Sequence, residues 1–259
     1  MTVKSIAAFA DLHVGHPAGL MLRSYELPSG NVIKANRAQL KLYEYWEEFK
    51  HEARNCDYVL NLGDTVDGVN RKEFGADILM TDLNVQVSVA SEILKDFVGD
   101  RPYLSVTGSP YHGSLDTSIE HQIAATLPNG KCYGLVLWWK VKGTGKTIFA
   151  AHDLGMTMYK GTALDRARLY SDALSDQLGK ADLILGAHGH KYFEICTGAT
   201  RAAYLPCWKI WSPIRAYGAK GYFIHYPKIG GAIIHVGKRI TIDPITFPPI
   251  RLFDQTNEV

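Results

Sequence analysis

The residues best able to do chemistry in this chain are carboxylates and imidazoles that follow short apolar runs. Asp11 and His13 come after the run at 5–10, and Asp64, with Asp67 three residues on, comes after 58–62. His152 comes after 147–151, and His188 and His190 come after 183–185. Side chains at the carboxyl ends of neighbouring strands converge, which is where α/β sheets place their sites. Residues i and i+2 of an extended segment point to the same side. Asp11 with His13, and His188 with His190, are therefore each expected to reach one centre. Oxygen and imidazole donors without thiolate suit manganese, iron, zinc, cobalt or nickel. A single aspartate, Asp64, could bridge two ions. Two-metal sites hold their ions about 3.5–4 Å apart and clamp the attacking and leaving oxygens of a phosphoryl group.

The elements that must position these residues are legible as apolar patterns. Runs at 5–10, 58–62 and 103–107 read as buried strands, and a long loop spans 13–36. Residues 37–55 read as a helix, with Leu42, Trp46, Phe49 and Ala53 at four- and three-residue steps. A second helix carries Leu83, Val87, Ala90, Leu94 and Phe97 on one face, and 114–127 is also expected to be helical. Farther on, 133–141 and 147–151 form a hairpin turning at 142–145. Residues 160–178 form a third long helix with Leu164, Ala167, Leu174 and Leu178 on its apolar side. Strands follow at 183–185 and 192–196, then a hairpin at 221–242 around Gly230 and Gly231, then an extended tail from Asp243 with Pro244, Pro248 and Pro249. Strands alternating with helices, then strands alone, imply a layered α/β fold with a two-sheet core. The domain expectation is one unit over 1–259, with 199–259 as a C-terminal loop and hairpin extension.

Asp11-x-His13, Gly63-Asp64-x-x-Asp67, Gly108 after a strand, His152 and His188-x-His190 together resemble the ordered motif set of the calcineurin-like metallophosphoesterases. Each motif is weak alone; the set, in order over residues 11–190, is specific. The resemblance implies a β-sandwich of two mixed sheets flanked by helices, with two divalent metal ions above it. Manganese is the first expectation, with zinc, iron, nickel or cobalt as alternatives. Asp11, His13, Asp64 and His190 would hold the first ion, and Asp64, His152 and His188 the second. A bridging hydroxide would be the nucleophile, because a bound water's pKa can fall to about 7. Asp67 would orient ligands or the loop backbone.

The family reads Gly-Asn-His after the third strand, whereas this chain reads Gly108-Ser109-Pro110-Tyr111-His112. It resembles a variant often met in viral and phage sequences. A serine hydroxyl is a poorer ligand than an amide oxygen, so the second ion is expected to be held more weakly or completed by water. His112 is the candidate to stabilise the transition state or protonate the leaving oxygen, against the plainer reading of a packed loop histidine. The plainer reading of Asp67, a cap on the segment after its strand, is the less favoured one. His16 and Tyr111 either line the pocket or lie on surface loops. His51, His121, His225 and His235 read as structural or exposed. The stretch 204–217, with Trp208, Lys209, Trp211 and Arg215, could stack bases or contact phosphate; aromatic core packing is the favoured reading. Gly143-Thr-Gly-Lys146-Thr147 echoes a phosphate-binding loop, but residue 140 is lysine and a strand follows, so it reads as a hairpin turn.

A net charge of +2 on 259 residues gives no broad basic field to draw nucleic acid or a membrane, although a local patch could still do so. The four cysteines show no Cys-x-x-Cys spacing, and the short N-terminal apolar run reads as too short for a secretory signal. A reducing cytoplasm, or a host's if the protein is viral, is expected, with no membrane partner and a homo-oligomer left open. The expected function is metal-dependent phosphodiester hydrolysis. A phosphomonoesterase, a nuclease on DNA or RNA, and a catalytically weak metal-binding assembly protein are the alternatives. The expected partner is a phosphate ester, with nucleotides and nucleic acid among the candidates.

Overall fold

The computed structural model describes residues 2–69, 78–112, 118–155, 160–210 and 227–250. Two mixed sheets lie face to face between layers of helix. In the first, β1 (Lys4–Phe9), β4 (Tyr58–Asn61), β5 (Tyr103–Ser105) and β6 (Gly130–Cys132) run parallel. The antiparallel pair β12 (Ile229–Val236) and β13 (Ile240–Phe247) extends that sheet beyond β1. In the second, β8 (Lys146–Ala151), β9 (Leu183–Gly186) and β11 (Thr200–Tyr204) are parallel. Their edges are β7 (Val136–Val141) and β10 (Phe193–Thr197), both antiparallel. A small hairpin, β2 (Ser24–Glu26) and β3 (Val32–Lys34), stands inside the long first loop.

Period-two alternation sorts each strand between two cores. From β1, Ile6 and Ala8 meet Leu60, Leu104, Ile148, Leu183 and Leu185 between the sheets, while Ala7 and Phe9 face the helices. Helix α1 (Arg37–Glu52) starts at a capping box, with Asn36 and Gln39 each accepting the other's backbone N–H. It then buries Leu42, Trp46 and Phe49. Helix α2 (Leu83–Val98) is capped by Asp82 and buries Val89, Ala90, Ile93, Leu94 and Phe97. Helix α3 (Ser118–Ala125) leads into β6; residues 114–117 of its expected range lie outside the described residues. On the opposite face, α4 (Lys160–Ala173) places Ala163, Leu164 and Ala167 on Ile184, Ala202 and Tyr204.

Several expectations need correction. The helix at 160–178 breaks at Leu174, after which α5 (Ser175–Leu178) forms one short turn, and Leu174 and Leu178 are exposed rather than buried. Gly230 and Gly231 lie inside β12, and the hairpin turns at 237–239 instead. The reason is steric: a Cβ on Gly231 would stand 2.4 Å from the Phe49 ring, so glycine lets α1 press onto the sheet. Asp243 and Pro244, expected in the tail, belong to β13, an edge strand where a missing N–H is tolerated. Residues 200–204, expected as loop, form β11 inside the second sheet. No described helix is long and apolar enough to cross a membrane.

Candidate metal centre

Every site loop leaves the carboxyl end of a parallel strand. Asp11 and His13 follow β1, Asp64 and Asp67 follow β4, His112 follows β5, His152 follows β8, and His188 and His190 follow β9. Backbone hydrogen bonds stitch these loops together. The N–H groups of Asp11 and His13 donate to Gly63 O (2.9 Å) and Asp64 O (3.0 Å), and Ala187 N–H donates to His152 O (2.8 Å). The six side chains Asp11, His13, Asp64, His152, His188 and His190 consequently share one pocket.

The local geometry is not the extended one expected. Asp11, His13, Asp64, His188 and His190 have φ of 57°, 48°, 50°, 65° and 49°, and they are the non-glycine residues of positive φ among the described residues. The left-handed conformation costs an L-residue about 1–2 kcal/mol. Five such residues at one place indicate that surrounding contacts override local preference to aim these groups. Asp11 and His13 therefore converge through turned backbone, not through strand alternation.

Three groups have ligand atoms close enough to hold a cation: Asp11, His13 and His190; Asp64, His152 and His188; and His13, Asp67 and His112, which shares His13 with the first. In the first, His190 Nε2 is 3.3 Å from Asp11 Oδ1 and 3.3 Å from His13 Nε2. In the second, His152 Nε2 is 2.9 Å from Asp64 Oδ2 and 3.2 Å from His188 Nδ1. Asp64 falls in the second group alone. Asp11 Oδ1 is the oxygen that reaches both sides, 3.7 Å from His13 Nε2 and 3.9 Å from His152 Nε2. Asp64 is instead held by Ser109, whose N–H donates to Oδ1 (2.7 Å) and whose hydroxyl donates to Oδ2 (3.1 Å).

The donor set fits divalent cations on three counts. Asp11 Oδ1 is buried without a hydrogen-bond partner, a costly state that a cation would relieve. His152 Nδ1 donates to Leu62 O (2.7 Å) and His13 Nδ1 donates to Asp67 Oδ1 (2.9 Å), which turns each ring's Nε2 lone pair toward the centre. Oxygen and imidazole donors, with no cysteine in any group, suit manganese, zinc and their neighbours.

Charge coupling is strong. Burial pushes the Asp11 carboxyl up, but His190 and His13 outweigh it and hold it far below the usual range; His152 does the same to Asp64. Burial pulls His152 down, yet Asp64 and Asp11 raise it to about 10. His13 is lowered to about 4, by burial first and then by Lys209 and His112. Asp67 is fully buried and sits well below its ordinary value; burial opposes this, and His112, His13 and Lys209 prevail. His112 Nδ1 donates to Asp67 O (3.0 Å) and lies 3.3 Å from Asp67 Oδ1, with its ring 4.4 Å from that of His13.

Of the residues weighed for the pocket wall, His16 is buried and Tyr111 is half exposed. Trp208 is fully buried in the aromatic core with Trp46 and Phe49, whereas Trp211 and Arg215 lie outside the described residues, as does His225. His51 and His121 are exposed, and His235 pairs with Asp243 at 3.1 Å. Glu120 belongs to no motif yet stands behind the site. Its carboxylate accepts the Thr65 N–H (3.0 Å) and hydroxyl (2.7 Å) directly after Asp64, and burial lifts its pKa to about 7. Nothing in the local sequence marks it, because the contact spans 55 residues.

No family model matches the sequence, and no curated protein sequence matches it. Solved structures do resemble it. A predicted phosphoesterase from Streptococcus pneumoniae TIGR4 is 13% identical over 95% of this chain and 91% of its own, with a TM-score of 0.43. Vps29 from Entamoeba histolytica, complexed with zinc, is 12% identical over 94% and 99%, with a TM-score of 0.45. An archaeal phosphodiesterase is 8% identical over 94% and 99%, with a TM-score of 0.49. Likeness at this level leaves the chemistry to be argued from the site itself.

Proposed function

We propose that this chain is a calcineurin-like metallophosphoesterase, a two-metal hydrolase of phosphate esters that prefers diesters. The observation that carries the reading is the pair of adjacent three-residue groups, Asp11–His13–His190 and Asp64–His152–His188, with the unsatisfied Asp11 Oδ1 between them. Two divalent ions there would polarise a phosphoryl oxygen and acidify a water. The chain's own residues supply the rest. Asp67 and the Leu62 carbonyl fix the rings of His13 and His152, and Ser109 fixes Asp64. His112, held through Nδ1 by Asp67, keeps Nε2 to give a proton to the leaving oxygen.

The test is metal analysis of protein purified without chelator, followed by hydrolysis of bis-p-nitrophenyl phosphate, p-nitrophenyl phosphate and single-stranded DNA with added manganese. Two ions per chain and turnover of the diester support the reading. Hydrolysis of the monoester alone refutes the diester preference, and no hydrolysis with any ion favours a metal-binding assembly protein.

A further inference from the structure

Asp67 Oδ1 gathers three nitrogen groups. His13 Nδ1 is at 2.9 Å, His112 Nδ1 at 3.3 Å, and Lys209 Nζ at 3.2 Å. His13, Asp67 and His112 are the group near enough for a cation that neither assigned ion uses as a whole. Lys209 puts a tethered ammonium on the carboxylate of that group.

The lysine arrives there by construction. It lies on the segment after β11, far from Asp67 in sequence, and backbone hydrogen bonds fasten that segment to the site loop on both sides. Trp208 N–H donates to Asp11 O (3.0 Å) and Ile210 N–H donates to Ala18 O (2.8 Å). The Trp208 ring is buried among Trp46, Phe49 and Phe247, which fixes where the next residue points. The Lys209 side chain is only 17% exposed, so its charge is aimed inward.

We propose that Lys209 is a positioning residue: its ammonium holds the Asp67 carboxylate in the attitude from which Asp67 orients His112. His13 Nδ1 donates to this carboxylate, and His112 Nδ1, which donates to the Asp67 carbonyl O, stands 3.3 Å from it. Lys209 adds a permanently charged donor to that carboxylate, and charge-assisted bonds are the stronger kind. The consequence for rate rests on the phosphoesterase reading; the consequence for the His112 ring does not.

The experiment compares wild type with Lys209→Met and Lys209→Arg. The first measurement, on chelator-treated protein, is a nitrogen–proton correlation spectrum of the histidine side chains. Lys209→Met is expected to shift or lose the His112 Nδ1–H signal, and Lys209→Arg to keep it. The second is turnover of bis-p-nitrophenyl phosphate with manganese. A fall in kcat of about ten-fold or more in Lys209→Met is expected, with KM within about two-fold and Arg restoring most of the rate. Should Lys209→Met not fold, Lys209→Gln, a donor without the charge, is read the same way. An unchanged His112 signal overturns the proposal. So does a lost rate that Arg fails to restore, since Lys209 would then touch substrate directly. A wild type inert with every ion overturns the phosphoesterase reading instead, and the histidine spectrum still judges Lys209.

Discussion

Replacing Gly108 with alanine tests how tightly the loops after β4 and β5 fix Asp64. A Cβ at position 108 would lie 2.0 Å from Asp64 Oδ1, 2.4 Å from Asp64 N and 2.9 Å from Asp64 Cα. A comfortable approach between heavy atoms is roughly 3.5 Å, so something must retreat by about 1 Å. Turning the carboxylate clears one contact only, because the other two are backbone. The loop itself must move, and it is bound to Ser109 on one side and through Thr65 to Glu120 on the other. Overpacking of this kind costs about 1–3 kcal/mol, and in a chain of this length each kcal/mol lowers Tm by roughly 2–4 °C. The loss in function should be larger, since a misplacement of about 1 Å can cost on the order of a hundred-fold in rate. Calorimetry, zinc titration and diester turnover would be measured on Gly108→Ala beside Gly161→Ala. Gly161, in α4, has its nearest would-be contact at 3.9 Å, so alanine there should leave zinc binding and turnover unchanged and, as the better helix former, should not lower stability. A Gly108→Ala protein that melts, binds zinc and turns over like wild type would refute the claim that this contact aims Asp64.

Other substitutions probe separate parts of the site. His152→Asn should lose the ion assigned to Asp64, His152 and His188 while leaving that of Asp11, His13 and His190, which elemental analysis would read as a drop from two ions to one. His112→Ala should lower kcat by about a hundred-fold or more with metal content unchanged; normal turnover would reduce His112 to a packing residue. Glu120 has a folded pKa raised from 4.5 to about 7, so in chelator-treated protein its contribution is fully present below about pH 4.5 and lost as pH rises through about 7. Glu120→Gln cannot ionise there. Its stability relative to wild type, from urea titrations, should therefore improve between pH 4.5 and 8, by about 3 kcal/mol at most. A difference flat with pH would show that Glu120 ionises as freely folded as unfolded.

The strand-end positions of Asp11, His13, Asp64, His152, His188 and His190 were legible in the chain itself. The apolar runs that carry them alternate with amphipathic helices, and both periodicities are local properties. Helices α1 and α2 showed their buried faces for the same reason, as Leu42, Trp46 and Phe49 recur at helical spacing. Other elements depended on partners. The strand β11 is short, with Thr200 and Arg201 at its start, and it exists because β9 and β10 accept it on both sides. Leu174 and Leu178 continued a helical apolar pattern, but no described element covers them, and the helix breaks there.

Residue order thus determined which donors stand at which strand ends, and so the oxygen-and-imidazole chemistry open to them. Tertiary structure alone decided how those donors face one another: the left-handed backbone at five of them, Asp11 rather than Asp64 reaching both groups, Ser109 and Glu120 behind Asp64, and Lys209 on Asp67. The physical reason is range. Strand and helix periodicity arises from neighbours a few residues apart, whereas these side-chain contacts join segments 45 to 142 residues distant and form only once both sheets are packed.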